Sequence, residues 1–181
     1  MEAAFIFHCL SEAFSFPNVS PRETCRILEP LSQFPKDNKL VDSINATTLD
    51  DLQAEYTRLF INAPHKVPAP PYASVYLSEK GQLFQGGYDD AVKFYLDAGL
   101  EPVQGPEPAD NIFYELEFVA MLLEYKKNDL LCSFLESHLL KWYPKFLDNL
   151  LAANPHIYYD VIARFTMSNL EDLKKEVCHE V

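Results

Sequence analysis

Apolar residues recur along this chain at helical spacing, and the runs are broken by prolines and polar caps. Ala3, Phe7, Leu10 and Phe14 make a first amphipathic face, closed by Phe16-Pro17. Ser20-Pro21-Arg22-Glu23 is a capping box with proline at the first helical position, and Pro30 bends or ends the helix it starts. A short segment around Lys39 to Ile44 follows. Thr48 caps the next predicted helix, with Asp50 and Asp51 in its first turn, where the helix dipole favours carboxylates. The apolar stripe of that helix is Leu49, Leu52, Tyr56, Leu59 and Phe60. Tyr88 to Ala98 reads as a further helix, stopped by Gly99.

The stretch from Pro108 to Leu123 is the most informative. Asp110 is placed to accept from the free N–H groups of a first helical turn, and the helix after it is apolar almost all round. Such a helix belongs in the middle of a helical protein. Glu115 and Glu117 therefore need a surface window or a partner, with Arg58 and Arg164 as candidate cations. Asn128 starts another helix through Leu131, Leu135, Leu139 and Trp142, and Pro144 restarts the chain into Phe146, Leu147, Leu150 and Leu151. Asn154-Pro155 opens a last long helix through Tyr158, Val161, Ile162 and Phe165. Ser168-Asn169-Leu170-Glu171 is either a second capping box or polar residues inside that helix. Val75-Tyr76-Leu77 is the only strand-like scrap, and no internal repeat is visible. Two proline-rich linkers, Ala63 to Tyr72 and Leu100 to Ala109, should be stiff connectors. The pattern predicts an all-α fold, with residues 1–181 forming a single domain of many helices joined by two proline-rich loops.

Composition narrows the function. Fifteen basic against twenty-seven acidic residues leave a net charge of −12, which repels phosphate backbones and argues against nucleic-acid binding. It suits a partner carrying positive charge. No apolar run of about eighteen residues exists to span a membrane. The N-terminal Met1-Glu2-Ala3-Ala4-Phe5-Ile6 lacks a basic start and a cleavage site, so it reads as a mature first helix of a cytoplasmic protein. Cys9, Cys25, Cys132 and Cys178 stand far apart with no CxxC pair, which predicts small buried residues in a reducing compartment rather than a metal site or disulfide. No phosphate-binding loop, HExxH or GxSxG is present, and Gly86-Gly87 alone is not a nucleotide loop. No cofactor or metal is expected. The five histidines are scattered, and His138, between Leu135 and Leu139, reads as a core histidine with a hydrogen-bond partner. Glu115 and Glu117 lie two apart and point to different sides of a helix, so one exposed and one buried glutamate is the simpler reading than an acid/base pair.

Three segments together resemble the TorD/DmsD family of redox-enzyme maturation chaperones, with its more distant NarJ-type relatives. Glu55-Tyr56-Thr57-Arg58-Leu59-Phe60, followed by Pro70-Pro71-Tyr72-Ala73-Ser74-Val75-Tyr76, is similar to the family's aromatic-x-x-Leu-Phe motif and the Pro-aromatic-x-Ser-Val-Tyr loop after it. Pro108-Ala109-Asp110-Asn111-Ile112, running into Glu115-Leu116-Glu117-Phe118, is similar to its Pro-x-Asp-His linker and Glu-Leu-Glu-Phe helix start. His138-Leu139, with Trp142, Pro144 and Phe146, is similar to a His-Leu…Trp-x-Pro-x-Phe segment. The matches run in order over roughly half the chain. Asn111 departs from the pattern, standing where the family usually has histidine, and it cannot titrate.

The resemblance implies a TorD-like helical bundle and a cytoplasmic, non-catalytic chaperone. Its partner would be the apo-form of a molybdenum- or tungsten-pterin oxidoreductase, bound through a twin-arginine leader or its body and held for cofactor insertion. A twin-arginine leader has a basic start and an apolar middle, so its receptor needs carboxylates beside an apolar groove. Tyr56, Leu59, Phe60, Pro71, Tyr72 and Pro108 are the candidate apolar contacts. Asp110 and Asn111 are candidate polar contacts, with Glu115 a candidate for an arginine if it is exposed. A helical adaptor for an unrelated protein, or a small hydrolase using Glu115 or Glu117, are the alternatives. Both a monomer and a domain-swapped dimer fit stiff linkers between helical halves.

Overall fold

A computed structural model describes residues 2–20, 23–24, 38–78, 81–84, 86–101, 105 and 107–178. The expectations for Pro21, Arg22, Cys25, Pro30, Pro102, Pro106 and His179 lie outside them. The fold is all-α, and among the described residues β pairing is limited to an isolated antiparallel bridge between Tyr72 and Asn111. In chain order the helices are α1 (Glu2–Phe14), α2 (Asn38–Asn45), α3 (Leu49–Tyr56), α4 (Ala73–Leu77), α5 (Gly86–Asp97), α6 (Ile112–Glu124), α7 (Asn128–Phe134), α8 (Leu140–Ala152) and α9 (Ile157–Cys178). Two π-helical turns interrupt them: π1 (Thr57–Ile61) continues α3, and π2 (Leu135–Leu139) joins α7 to α8.

Several start signals work as the residues require. Ser20 N donates to Glu23 Oε2 (3.0 Å), the return half of the capping box. Thr48 Oγ1 accepts from Asp51 N (3.1 Å), and Gly99 stops α5 at a positive φ of 81°. Elsewhere tertiary packing overrides the local signal. Pro144 lies inside α8 instead of restarting the chain, beside the buried Trp142, Tyr143 and Phe146, whose packing offsets one lost backbone hydrogen bond. Val75-Tyr76-Leu77 is the end of α4, not a strand. His156, rather than Asn154, receives the first bonds of α9: its Nδ1 accepts from Tyr158 N (3.2 Å) and its carbonyl from Tyr159 N (3.0 Å). Ser168 and Asn169 are polar residues within that helix.

The apolar α6 is central, as its composition dictates. α1 packs along it antiparallel: Ser11 Oγ donates to the Phe113 carbonyl (2.7 Å), and His8 Nδ1 lies 2.9 Å from Glu117 Oε2. α9 covers α7 and α8 on another side. Its Tyr159 meets Phe60 edge-on at 5.3 Å in an aromatic cluster that also includes Tyr56, Phe14 and Phe146. Cys132 and Cys178 correct the expectation for the cysteines. Far apart in sequence (46 residues), they form a disulfide between α7 and the last turn of α9, with Cα atoms 5.2 Å apart. Sequence separation says nothing about which helix ends meet. Cys9 is free and buried, as expected.

Candidate functional site

The two proline-rich segments meet edge to edge. Ala73 N donates to the Asp110 carbonyl (3.0 Å) and Ile112 N to the Pro71 carbonyl (2.9 Å), bracketing the Tyr72–Asn111 bridge. Proline can take part here because its carbonyl accepts while its missing N–H is not needed. The bridge fixes where α4 and α6 begin. Asn111, not Asp110, caps α6: its Oδ1 accepts from Phe113 N (3.2 Å). Asp110 Oδ2 instead reaches across the chain to Ser74 N (2.8 Å) and caps the first turn of α4. α5 seats directly on that turn at Gly87, where a Cβ would lie 2.7 Å from Ser74 N. That close approach is what Gly87 serves; a Cβ at Gly86 would meet open space. Tyr95 OH donates to the Ala109 carbonyl (2.8 Å), tying α5 to the same junction. Asp110 Oδ1 and Ser74 Oγ, both buried, have no hydrogen-bond partner among the described residues.

Beside the junction opens a groove of about 690 Å³, in the size range of ligand and peptide pockets. Phe60, Ile61, Pro70, Tyr72, Val75 and Tyr76 form its apolar wall. Ile61 and Leu83 at its edge are 55% and 41% exposed and extend the apolar lining to the surface. Among the described residues, the charged groups on the rim are Lys66 and Glu107. Tyr72 OH donates to Glu107 Oε2 (2.5 Å), and burial together with that carboxylate pushes the Tyr72 phenol well above its ordinary value.

The candidate residues thus divide. Phe60 and Tyr72 line the groove, the first buried and the second half-buried; Pro108 is half-buried beside the junction. Tyr56, Leu59, Pro71, Asp110 and Asn111 are buried, and they shape the groove from behind. Glu115 is fully buried, and its partners are not Arg58 or Arg164, which pair with Glu55 (2.7 Å) and Asp160 (3.1 Å). Its Oε1 lies 2.8 Å from His138 Nε2, and its Oε2 accepts from Trp142 Nε1 (3.0 Å). Loss of water pushes the Glu115 carboxyl up, with His138 and Trp142 pulling back in part. Burial alone would lower His138, but the attraction of Glu115 outweighs it and the imidazole is raised. Glu117 points to the other side, toward His8, so the two carboxylates share no cleft and cannot act on one substrate.

Ile61, Lys66 and Glu107 line the groove without being named by any motif, whereas Val75 stands inside the Pro70–Tyr76 motif. Ile61, Lys66 and Glu107 each lie within a few residues of a motif, Glu107 immediately before Pro108, so adjacency to the motif is the signal that could find them. A second cavity of about 310 Å³, almost wholly apolar, lies between α5 and α6 and is lined by Tyr95, Leu100, Tyr114, Phe118 and Met121.

The comparisons with known proteins agree with this architecture. Residues 28–148 match the family model described as nitrate reductase delta subunit. A Haemophilus influenzae protein provisionally named a Tat proofreading chaperone, DmsD, is 30% identical over 135 residues, covering 74% of this chain and 65% of that protein. The chain thus spans somewhat less than two thirds of that relative's length. A chaperone protein TorD from Vibrio parahaemolyticus is 27% identical over 157 residues, covering 74% of this chain and 70% of its own. A crystal structure from Archaeoglobus fulgidus, of a protein provisionally named a redox enzyme maturation protein, superposes with a TM-score of 0.66. It shares 27% identity and covers 94% of this chain and 93% of its own. The chain belongs to the nitrate reductase delta subunit family, with TorD- and DmsD-type chaperones among its relatives.

Proposed function

We propose that this protein is a non-catalytic, cytoplasmic chaperone for the apo-form of a molybdenum- or tungsten-pterin oxidoreductase subunit. It binds the twin-arginine leader of that client and holds the client back until the pterin cofactor is inserted. The protein itself uses no cofactor; the pterin belongs to the client. The observation that carries the reading is the open apolar groove at the point where the two family-type proline loops are joined.

The chemistry of the groove suits such a leader. Its wall of Phe60 and Ile61 on π1, Val75 on α4 and Tyr72 after Pro70-Pro71 takes an apolar segment, and helical and proline backbones present those side chains at low entropic cost. Glu107 offers a carboxylate with acceptor capacity beyond the single bond from Tyr72, enough for a guanidinium. The net charge of −12 favours approach of a basic peptide. Among the described residues no helix is long and apolar enough to cross a membrane.

Calorimetric titration with the client's N-terminal peptide, intact and with both arginines changed to alanine, tests the reading. Saturable binding that is lost with the arginines supports it. Equal binding of both peptides makes the apolar segment the recognised feature. No binding of either moves recognition to the body of the client.

A further inference from the structure

The seam between α7 and α9 carries a cluster that the chaperone reading does not use. Cys132, Glu136 and Cys178 place a sulfur, a carboxylate oxygen and a second sulfur within 4.8 Å of one another. Cys132 and Glu136 stand one helical turn apart on the same side of the chain, the spacing that lets two side chains grip one ion. Glu136 sits in the π2 turn, and π turns inside helices recur at functional sites because they shift a side chain out of the regular register. Cys178 arrives from the last turn of α9. Both cysteines are partly exposed and Glu136 is exposed, so an ion can enter and water can complete its coordination. Glu136 already holds a cation: Lys174 Nζ is 3.1 Å from its Oε1. Lys174 lies one turn before Cys178, and Glu136 one turn after Cys132, so the ion pair and the disulfide run along one antiparallel seam.

We propose that, as a dithiol, Cys132 and Cys178 together with Glu136 bind a thiophilic divalent cation of the zinc class, and that the disulfide and the metal site are alternative states of one cysteine pair. The donor set fits: two thiolates and a carboxylate match the preferences of zinc, with a fourth position left to water. The exchange balances. A dithiol reductant gives two electrons and two protons to the Cys132–Cys178 disulfide and becomes a disulfide itself; each new thiol then loses its proton to solvent on binding the cation. The scaffold is already converged, because the helices hold the two Cα atoms 5.2 Å apart. Bound metal and disulfide would each clamp the end of α9 onto α7, so the clamp survives a change of redox state when metal is present.

The test is titration of the reduced full-length chain with Co²⁺ under anaerobic conditions, followed by absorption, with Zn²⁺ as competitor. One ion per chain, with sulfur-to-cobalt charge-transfer absorption displaced by Zn²⁺, is the expected result. Cys132→Ser and Cys178→Ser should each remove the charge-transfer band, and Glu136→Gln should weaken binding roughly 10-fold or more. Lys174→Ala should tighten it by about 2- to 5-fold, because a competing cation is gone. Circular dichroism of each variant separates loss of the site from loss of the fold. Absence of the band in the folded, alkylation-verified dithiol overturns the proposal. So does undiminished cobalt binding in the folded cysteine variants.

Discussion

Glu107 and Glu115 are carboxylates eight positions apart on one stretch of chain, and they meet opposite surroundings. Glu115, in the first turn of α6, is fully buried with both oxygens engaged, by His138 on π2 and Trp142 on α8. Glu107 lies half-buried on the rim of the groove with one bond from Tyr72. A carboxylate can accept about four hydrogen bonds, so only Glu107 has capacity for an incoming cation without rupture of the core. The comparison teaches that a family-type motif and the residue beside it divide the work: Glu115 holds helices at fixed positions, and those positions leave Glu107 at the rim of the groove.

Breaking the inner site should have the largest effect. Glu115→Ala leaves a buried imidazole and indole N–H unpaired, and should cost about 3–5 kcal/mol of stability in urea unfolding. Glu115→Gln, which keeps the shape, should cost less. Reducing the Cys132–Cys178 disulfide in the absence of metal should lower stability by about 2–4 kcal/mol in the same assay, since the bridge closes a 46-residue separation.

Asp110 stands between the two sites, and Asp110→Ala tests the junction itself. Loss of the cap on Ser74 should cost about 1–2 kcal/mol of stability, while peptide affinity should fall by more, because the groove wall at Tyr72 and Val75 loses its anchor. Unfolding by more than that, with affinity unchanged among folded molecules, would return Asp110 to a structural role alone. Glu107→Gln should leave stability within about 0.5 kcal/mol, yet remove about 1–2 kcal/mol of affinity for the arginine-bearing peptide. The remaining affinity should depend less on salt.

The smallest effect is in pH. Folding raises both Glu115 above its ordinary 4.5 and His138 above its ordinary 6.5, so the native state holds more protons than the unfolded one. The stability tied to each group is full below its ordinary value and is lost as pH rises through the folded one. His8, raised by Glu117 and Glu124 against a lowering by burial, has the same sign on the surface. Unfolding free energy should therefore fall as pH rises above 6.5, and His138→Gln should flatten that slope more than His8→Gln.

Much of the fold was legible because local signals and packing point the same way: the α1 face, the Thr48 cap, the Gly99 stop and the apolar α6 all appear in the residues themselves. Pro144, the Val75–Leu77 segment and the two π turns were not legible, because tertiary packing decides them. The site divides similarly. Phe60 and Tyr72 could be named from motif and composition. The burial of Glu115, the reach of Asp110 to Ser74 and the meeting of Cys132 with Cys178 depend on which distant segments become neighbours. No spacing in one chain reports that.

Hydrogen–deuterium exchange of the full chain, with and without the intact leader peptide, tests the central claim most directly. The account predicts protection confined to the segments around Phe60 to Tyr76 and Glu107 to Asn111, with the amides around Glu115, His138 and Trp142 unchanged. Protection concentrated on the outer faces of α1 or α9, with the groove segments unaffected, would contradict it.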